Sequence, residues 1–433
     1  LVVGGWVRDR LRNVASKDLD IEVFGLPQAR LLEVLRSLGR VEAVGQSFPV
    51  YKLTGISDGD VDVALPRRES KQGRGHKGFE VQGDPDMPLT EAARRRDFTI
   101  NAIAWDPLTD VYEDPFDGRG DLARRILRAV DRRTFGDDSL RVLRAVQFAA
   151  RFEFVLDDDT AALCRSIPLD DLPAERVWGE IEKLLLQAAN PSIGLALGLE
   201  LGVVAALLPE LLPLVGCEQE YEWHPEGDVW VHTLMVVDEA VTQCHGLERP
   251  QRTAVMLGAV CHDLGKPSTT AFIDGRIRSP DHEQAGVEPT LRLLDRLNVH
   301  SIGGYDVRGQ VAGLVAHHLK PGMFHKAPHV SDGAFRRLAQ KVDVELLARL
   351  ARADCRGRSG TFDCRAMDWF IARARQVGVR PPDPLLLGRH VLALGLSPGP
   401  RVGEILKAVY DRQLDGEITT VDDAIGAARR LLS

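Results

Sequence analysis

Three things are scarce in these 433 residues, and each scarcity narrows the possible functions. Basic charge is not in excess. The formal net charge is −8, so there is no chain-wide polycation, and any polynucleotide contact must come from local patches. Cysteine is sparse and dispersed. Cys164, Cys217, Cys244, Cys261, Cys355 and Cys364 contain no CxxC pair, which argues for reduced, structural thiols in a cytoplasmic protein rather than disulfides or a zinc site. Uninterrupted apolar stretches of membrane-spanning length are also missing. The apolar run 193–215 is broken by Glu200, Pro209, Glu210 and Pro213, so it reads as buried helices, and no membrane association is expected. No secretory signal is read. Leu1 already falls inside an expected strand, so a few natural residues are expected to precede it.

What is present is ordinary globular composition, 44% hydrophobic and 27% charged, enough for an ample core and for two to four domains. The informative stretch is the first. LVVGG, WVRD and KDLDIEVF read as a strand (1–3), a Gly-Gly turn, a short helix (6–11) and a second strand (21–24). Glycines at a strand end let backbone N–H groups approach an anion, and the helix start adds positive potential. Asp18 and Asp20 are two apart, so they project from one strand face. Paired carboxylates repel unless a cation lies between them, and such oxygen ligands suit Mg²⁺. A phosphate cradle facing a Mg²⁺ seat is equipment for phosphoryl or nucleotidyl transfer. Taken alone, a GG or a DxD more often belongs to an ordinary solvated turn or strand end.

In this order and spacing, GGWVRD followed by KDLDIEVFG resembles the opening of the class II nucleotidyltransferases: tRNA CCA-adding enzymes, their A-adding relatives and bacterial poly(A) polymerases. That resemblance implies an α+β chain. A polymerase-beta-like nucleotidyltransferase head with a mixed sheet would be followed by an all-helical neck, body and tail. The expected segments are a head at 1–135, a neck at 136–215, a body at 216–360 and a tail at 361–433.

Further along, 26–39 reads as an amphipathic helix closed by Gly39, and 41–44, 50–53 and 61–65 as strands. In GDVDVALPRRE, Asp60 and Asp62 alternate with valines, and one of them should face Asp18 and Asp20. The resemblance gives Asp62 the place of a third metal-associated carboxylate; otherwise it is a solvent-facing acid on an edge strand. Residues 67–96, rich in Gly, Pro and charge, read as a long loop. In the resembling enzymes a mobile loop here helps switch nucleotide choice from C to A, and CC-only enzymes have it shortened.

RRDFTINAIAWD is similar to the family's second motif. Arg96 could neutralise triphosphate as a planar donor, Asp97 could accept from a ribose hydroxyl, and Asn101 could steady the cluster. The alternative is a basic helix start capped by Asp97. Asp114-Pro115-Phe116-Asp117-Gly118 is similar to the third motif and reads as a structural turn. In Asp137-Asp138-Ser139-Leu140-Arg141-Val142-Leu143-Arg144, the three-residue spacing of Asp138, Arg141 and Arg144 places them on one face of an expected helix. A carboxylate accepts from the amino group of C or A, and a guanidinium donates to the ring nitrogen, so the pair refuses U and G. The alternative is a surface ion pair. Gly5, Arg8, Arg96 and Arg144 would hold the triphosphate. Two departures from the family pattern are Asp137, where Glu is usual, and Gln147, where a further Arg often sits. PAERVWGE resembles the fifth motif, and Arg176 and Glu180 are expected to brace the base-selecting helix.

The order His232, His262-Asp263, Asp354 is similar to the ligand order of HD-family phosphohydrolases. Two imidazoles and two carboxylates suit Mn²⁺, Ni²⁺, Co²⁺ or Mg²⁺, which could activate water at a phosphoester. The tail resembles the end of the family that grips the tRNA elbow, although His390 stands where Asp is common. The expected function is addition of CMP and AMP to the tRNA 3′ end from CTP and ATP with Mg²⁺, beside an accessory phosphohydrolase. The alternatives are an A-adding enzyme acting on tRNA ending in CC, a poly(A) polymerase, a metal phosphohydrolase whose head only binds nucleotides, and a non-catalytic tRNA-binding protein. The oligomeric state is left open.

Overall fold

A computed structural model of the chain describes residues 1–16, 18–44, 50–55, 61–71 and 79–432. It divides into two compact units, Leu1–Leu207 and Leu208–Ser433. Asp60 lies outside the described residues.

Unit 1 is built on a seven-stranded sheet in the order β3-β4-β5-β2-β1-β8-β9. The strands are β1 (Val2–Val3), β2 (Leu19–Glu22), β3 (Arg40–Val44), β4 (Val50–Thr54), β5 (Val61–Ala64), β8 (Ala104–Asp106) and β9 (Val111–Glu113). Most pairs are antiparallel, but β2 and β5 run parallel, so the sheet is mixed. Helix α1 (Gly5–Leu11) joins β1 to β2, and α2 (Gln28–Leu38) packs Leu31 and Leu35 onto Tyr51, Leu53, Val61 and Val63. The i, i+4 spacing of the two leucines makes that stripe, and each buried leucine contributes roughly 1.5–3 kcal/mol. On β5 the valines are buried while Asp62 and Ala64 are half-buried, as period-two alternation requires.

The segment 67–96 is not a loop throughout. Its first part pairs as a hairpin, β6 (Arg67–Lys71) with β7 (Phe79–Gly83), and helix α3 (Leu89–Arg94) follows. Charge and glycine are compatible with a paired two-stranded ribbon as well as with a loop. After the turn at 114–118 come α4 (Gly118–Arg124) and β10 (Ile126–Leu127). Asp114 accepts from the Gly118 and Arg119 N–H groups, and a Cβ at Gly118 would lie 2.2 Å from the Thr99 carbonyl oxygen. The turn therefore fixes the 99–101 backbone. Helix α5 (Leu140–Phe152) starts two residues after Asp138, whose backbone is extended (φ −120°). The expectation that Asp138 lies on the helix is thereby corrected: its carboxylate accepts from the Leu140 N–H and begins the turn that leads into it. Strand β11 (Val155–Leu156) and helices α6 (Asp158–Ser166), α7 (Ala174–Gln187), α8 (Pro191–Glu200) and α9 (Val203–Leu207) complete the unit.

Unit 2 is almost wholly helical. It comprises α10 (Val229–Gln243), α11 (Arg249–Cys261), α12 (Lys266–Thr269), α13 (His282–Ala285), α14 (Val287–Arg296), α15 (Val307–His317), α16 (Lys320–Lys326), α17 (Asp332–Ala339), α18 (Val344–Arg356), α19 (Arg365–Val377), α20 (Gly388–Ala393), α21 (Pro400–Leu414) and α22 (Val421–Leu432). Two small hairpins, β12 (Ala271–Ile273) with β13 (Arg276–Arg278) and β14 (Ser301–Ile302) with β15 (Tyr305–Asp306), interrupt the helices. The last three helices close over their own core of Leu386, Val391, Ile405, Val409 and Ala424. No helix among the described residues is long and apolar enough to cross a membrane.

The cysteine expectation is corrected at one pair. Cys355 and Cys364 are joined by a disulfide, while Cys164, Cys217, Cys244 and Cys261 are free. The turn between α18 and α19 returns the chain on itself, so cysteines nine apart come within bonding distance, a relation that CxxC spacing does not detect.

Candidate functional site

In unit 1 the Gly-Gly turn, the 95–101 segment and the start of α5 surround a cavity of ≈ 330 Å³. Gly4 has φ 76°, and a Cβ there would meet Arg96 Nη1 at 3.1 Å and Asp20 Oδ2 at 3.2 Å. Both the conformation and the close approach therefore call for glycine. Asp20 and Asp62 are direct register partners on the parallel strands β2 and β5, and Asp18 stands exposed just before β2. Burial, then the charges of Asp62, Asp18 and Glu22, push the Asp20 carboxyl above its usual range against the opposing pull of Arg96. One carboxylate oxygen of Asp62 is buried without a hydrogen-bond partner. Clustered carboxylates with an orphaned oxygen are a donor set that suits a hard divalent cation such as Mg²⁺.

The cationic wall is tied together by one network. Arg8 Nη1 donates to Asn101 Oδ1 (2.7 Å), Asn101 Nδ2 to Asp97 Oδ1 (2.9 Å), and Arg144 Nε to Asp97 Oδ2 (2.6 Å). The Phe98 N–H also donates to Asp97 Oδ1 (2.7 Å). Burial alone would raise the Asp97 carboxyl, but Arg144 and these hydrogen bonds outweigh it and hold it below the usual range. A ribose hydroxyl would have to use a remaining lone pair. Burial also lowers the pKa of Arg96, partly offset by Glu22, which lies 3.8 Å away and is also bonded by Arg95. Glu22 was missed in the sequence, although the i, i+2 pattern of Asp18, Asp20 and Glu22 carries it.

Gly5, Arg8, Arg96, Asp97, Asn101, Asp138, Arg141 and Arg144 all line this one cavity. Arg141 is anchored through the carbonyls of Thr134 (2.9 Å) and Arg95 (2.5 Å), and Asp138 Oδ2 accepts from Arg176 Nη2 (2.9 Å). The partner holding Asp138 is thus an arginine on α7. Gln147 is buried and accepts from Arg151 (3.1 Å).

Unit 2 gathers a second set. His232, on α10, lies 3.2 Å from Asp354 Oδ1 on α18 and 3.9 Å from Asp263 Oδ2. His262 Nε2 lies 3.1 Å from Asp263 Oδ2. Helix α11 ends at Cys261, so His262 and Asp263 stand just past it rather than on it. Two histidines that the sequence order alone did not assign join them. His282 Nε2 is 3.3 Å and His318 Nε2 is 3.9 Å from Asp263 Oδ1, and the two nitrogens are 3.3 Å apart. His262, His282 and His318 each donate Nδ1–H to the carbonyl three residues earlier (2.8–2.9 Å). Their Nε2 lone pairs therefore converge on carboxylates and on one another, which is repulsive unless cations or protons intervene. His232 Nδ1 lies 2.9 Å from Glu226 Oε1, which His224 Nδ1 also approaches at 2.9 Å.

Burial would lower His262, but Asp263 raises it above its usual range. Burial, with His262 and His282 nearby, pushes His318 down to about 3. Asp263 and Asp354 lie well below the usual range: burial is outweighed at Asp263 by His262 and Lys266, and at Asp354 by Arg358 and His232. A cavity of ≈ 320 Å³ opens over Asp263 and Asp354, with Trp223, Lys326 and Arg358 in its wall. The sequence offers Asp281-His282-Glu283 and His317-His318 as possible ligands without assigning them, and only the packing of α13 and α15 brings His282 and His318 to Asp263.

Residues 1–128 match the poly A polymerase head domain. The chain is 36% identical over 428 residues to the multifunctional CCA protein of Xanthomonas campestris pv. campestris (strain B100), covering 94% of this chain and 95% of the relative. Its fold is similar to that of the Bacillus stearothermophilus CCA-adding enzyme solved in complex with CTP, with a TM-score of 0.64 at 22% identity over 99% of this chain and 92% of that one. It is also similar to the Thermotoga maritima CCA-adding enzyme solved with tRNA, with a TM-score of 0.58 at 20% identity over 100% and 91% of the two chains.

Proposed function

The chain belongs to the family of multifunctional CCA proteins, and from that premise we propose how its two clusters divide the chemistry. The protein is a nucleotidyltransferase of CCA addition, joining CMP and AMP to the 3′ end of tRNA from CTP and ATP with release of pyrophosphate. Asp18, Asp20 and Asp62 would hold Mg²⁺, which when bound lowers the pKa of the primer hydroxyl and neutralises triphosphate charge. Gly5, Arg8, Arg96 and Arg144 would bind and orient the triphosphate at the turn. Asp138 accepts from the exocyclic amine of C or A, Arg141 donates to the ring nitrogen, and Arg176 holds the Asp138 carboxylate in place through its hydrogen bond. A carbonyl of U or G would face that carboxylate without a proton between them, at a cost of about 1–3 kcal/mol.

The observation that supports this reading is that Asp20, Arg8, Arg96, Arg144, Asp138 and Arg141, distant in sequence, line one cavity, with Asp62 paired in register with Asp20. In unit 2, four imidazoles and two carboxylates would hold divalent metal, one cation on His232, His262 and Asp354 and a second on Asp263, His282 and His318. The fitting reaction there is hydrolysis of a phosphoester, with Lys326 and Arg358 in the wall as anion-binding groups. The test is separation of function in the full chain. Asp20→Ala should abolish CMP and AMP incorporation and spare Mn²⁺-dependent phosphoester hydrolysis, and His262→Ala should do the reverse. Loss of both activities from either change would overturn the division.

A further inference from the structure

We propose that Cys355 and Cys364 form a redox element that sets the affinity of the unit 2 site for metal and phosphoester while leaving nucleotidyl transfer unchanged. This rests on the reading of that site as a metal centre.

The bridge joins the residue next to Asp354 on α18 to the residue that caps α19, and it closes a loop that carries two supports of the site. From that loop, Arg358 Nη2 reaches Asp354 Oδ1 at 3.4 Å and contributes to the cavity wall. The Ser359 N–H donates to Glu226 Oε2 at 3.1 Å, and the other oxygen of Glu226 lies 2.9 Å from His232 Nδ1. One covalent clamp thus stands behind a carboxylate ligand and an imidazole ligand at once. The loop has little freedom where it passes α10: a Cβ on Gly357 would lie 2.6–2.8 Å from Val236 atoms, one helical turn beyond His232. With the bond intact, the loop is pinned at both ends. With the bond broken, the covalent restraint is gone and Arg358 and Ser359 are held by their hydrogen bonds and by the packing of Gly357 and Phe362, so the restraint on Asp354 and His232 falls.

The chemistry is ordinary thiol–disulfide exchange. Cys355 is buried and Cys364 is partly exposed, so an external thiolate attacks Cys364 Sγ and the Cys355 thiolate leaves. A second external thiolate then attacks the mixed disulfide at the sulfur it contributed, releasing Cys364. Two thiols of a glutathione-type reductant become one disulfide, and the two chain sulfurs take up two electrons and two protons.

The experiment uses the full chain equilibrated in glutathione buffers at an oxidising and a reducing ratio, with thiols counted by alkylation and mass spectrometry. Three quantities are read: Mn²⁺ affinity, KM and kcat for a small phosphoester, and CMP incorporation into tRNA. Reduction should weaken Mn²⁺ binding about 3–10-fold and raise the phosphoester KM by a similar factor, with CMP incorporation unchanged. Cys364→Ser should behave as reduced protein in both buffers. Unchanged Mn²⁺ affinity and KM in samples whose thiol counts differ by two would overturn the proposal. So would a pair that never bonds under oxidising conditions. Mn²⁺ affinity that follows the redox state without any hydrolysis would uphold the coupling and remove the hydrolase reading instead.

Discussion

Arg176 on α7 donates to Asp138 Oδ2 at 2.9 Å, so the carboxylate proposed to read the incoming base is held from a helix other than the one that carries Arg141. Charge-assisted bonds of this kind are worth about 1.5–3 kcal/mol. Arg176→Ala should therefore lower kcat/KM for CTP and ATP about 10–100-fold and narrow the discrimination against UTP. Arg176→Ala and Asp138→Ala should be strongly non-additive in a double-mutant cycle. Fully additive losses would mean that Arg176 does not act through Asp138.

The Asp97–Arg144 pair makes a pH prediction. The Asp97 carboxyl is held below its usual value, so its contribution to stability is fully present above the unfolded value of about 3.9 and is lost as pH falls through the lower, folded value. Asp97→Asn should destabilise unit 1 by about 1–3 kcal/mol at pH 7, and the gap to wild type should begin to narrow below about pH 4. Denaturant melts of both proteins between pH 7 and 3.5 would check this. A gap independent of pH would show that the charge of Asp97 is not what matters.

The unit 2 cluster predicts two cations rather than one. Asp263 lies within 3.9 Å of imidazole nitrogens on both sides, and His282 and His318 complete a set separate from that of His232, His262 and Asp354. Metal analysis after equilibration with Mn²⁺ should find one equivalent fewer per chain in His318→Ala than in wild type. Equal content would assign the histidine pair a purely structural role.

Gly4 combines a positive φ with contacts of 3.1 and 3.2 Å to Arg96 and Asp20. Gly4→Ala should cost about 1–2 kcal/mol of stability and displace both side chains, so that incorporation falls at least about 10-fold. A variant with wild-type rates would show that the turn tolerates a side chain.

Much of unit 1 was legible because its signals are local. The valine alternation around Asp62, the leucine stripe of α2 and the glycines after β1 each specify a period or a turn, and the fold uses them as read. Side-chain partnerships were less legible. Arg141 and Asp138 are only three apart in sequence, yet Arg141 bonds backbone carbonyls and Asp138 bonds Arg176, because the chain turns at Asp138 before α5 begins. The 67–96 segment misled because glycine and charge occur in a two-stranded ribbon as readily as in a loop. In unit 2, four of the proposed metal ligands could be ordered by resemblance. His282, His318 and Glu226 join them only through packing of α10, α11 and α15 with the short helix α13. The Cys355–Cys364 bond escaped notice for the same reason: it depends on where one turn returns the chain.

The most direct test is the sequenced product of full-length protein, Mg²⁺, CTP and ATP acting on tRNA that lacks its 3′ CCA. The expected product ends in CCA, with no UMP or GMP incorporated when all four triphosphates are supplied, and it is lost in Asp20→Ala. Protein that leaves this tRNA unchanged, or that extends only tRNA already ending in CC, would contradict CCA addition.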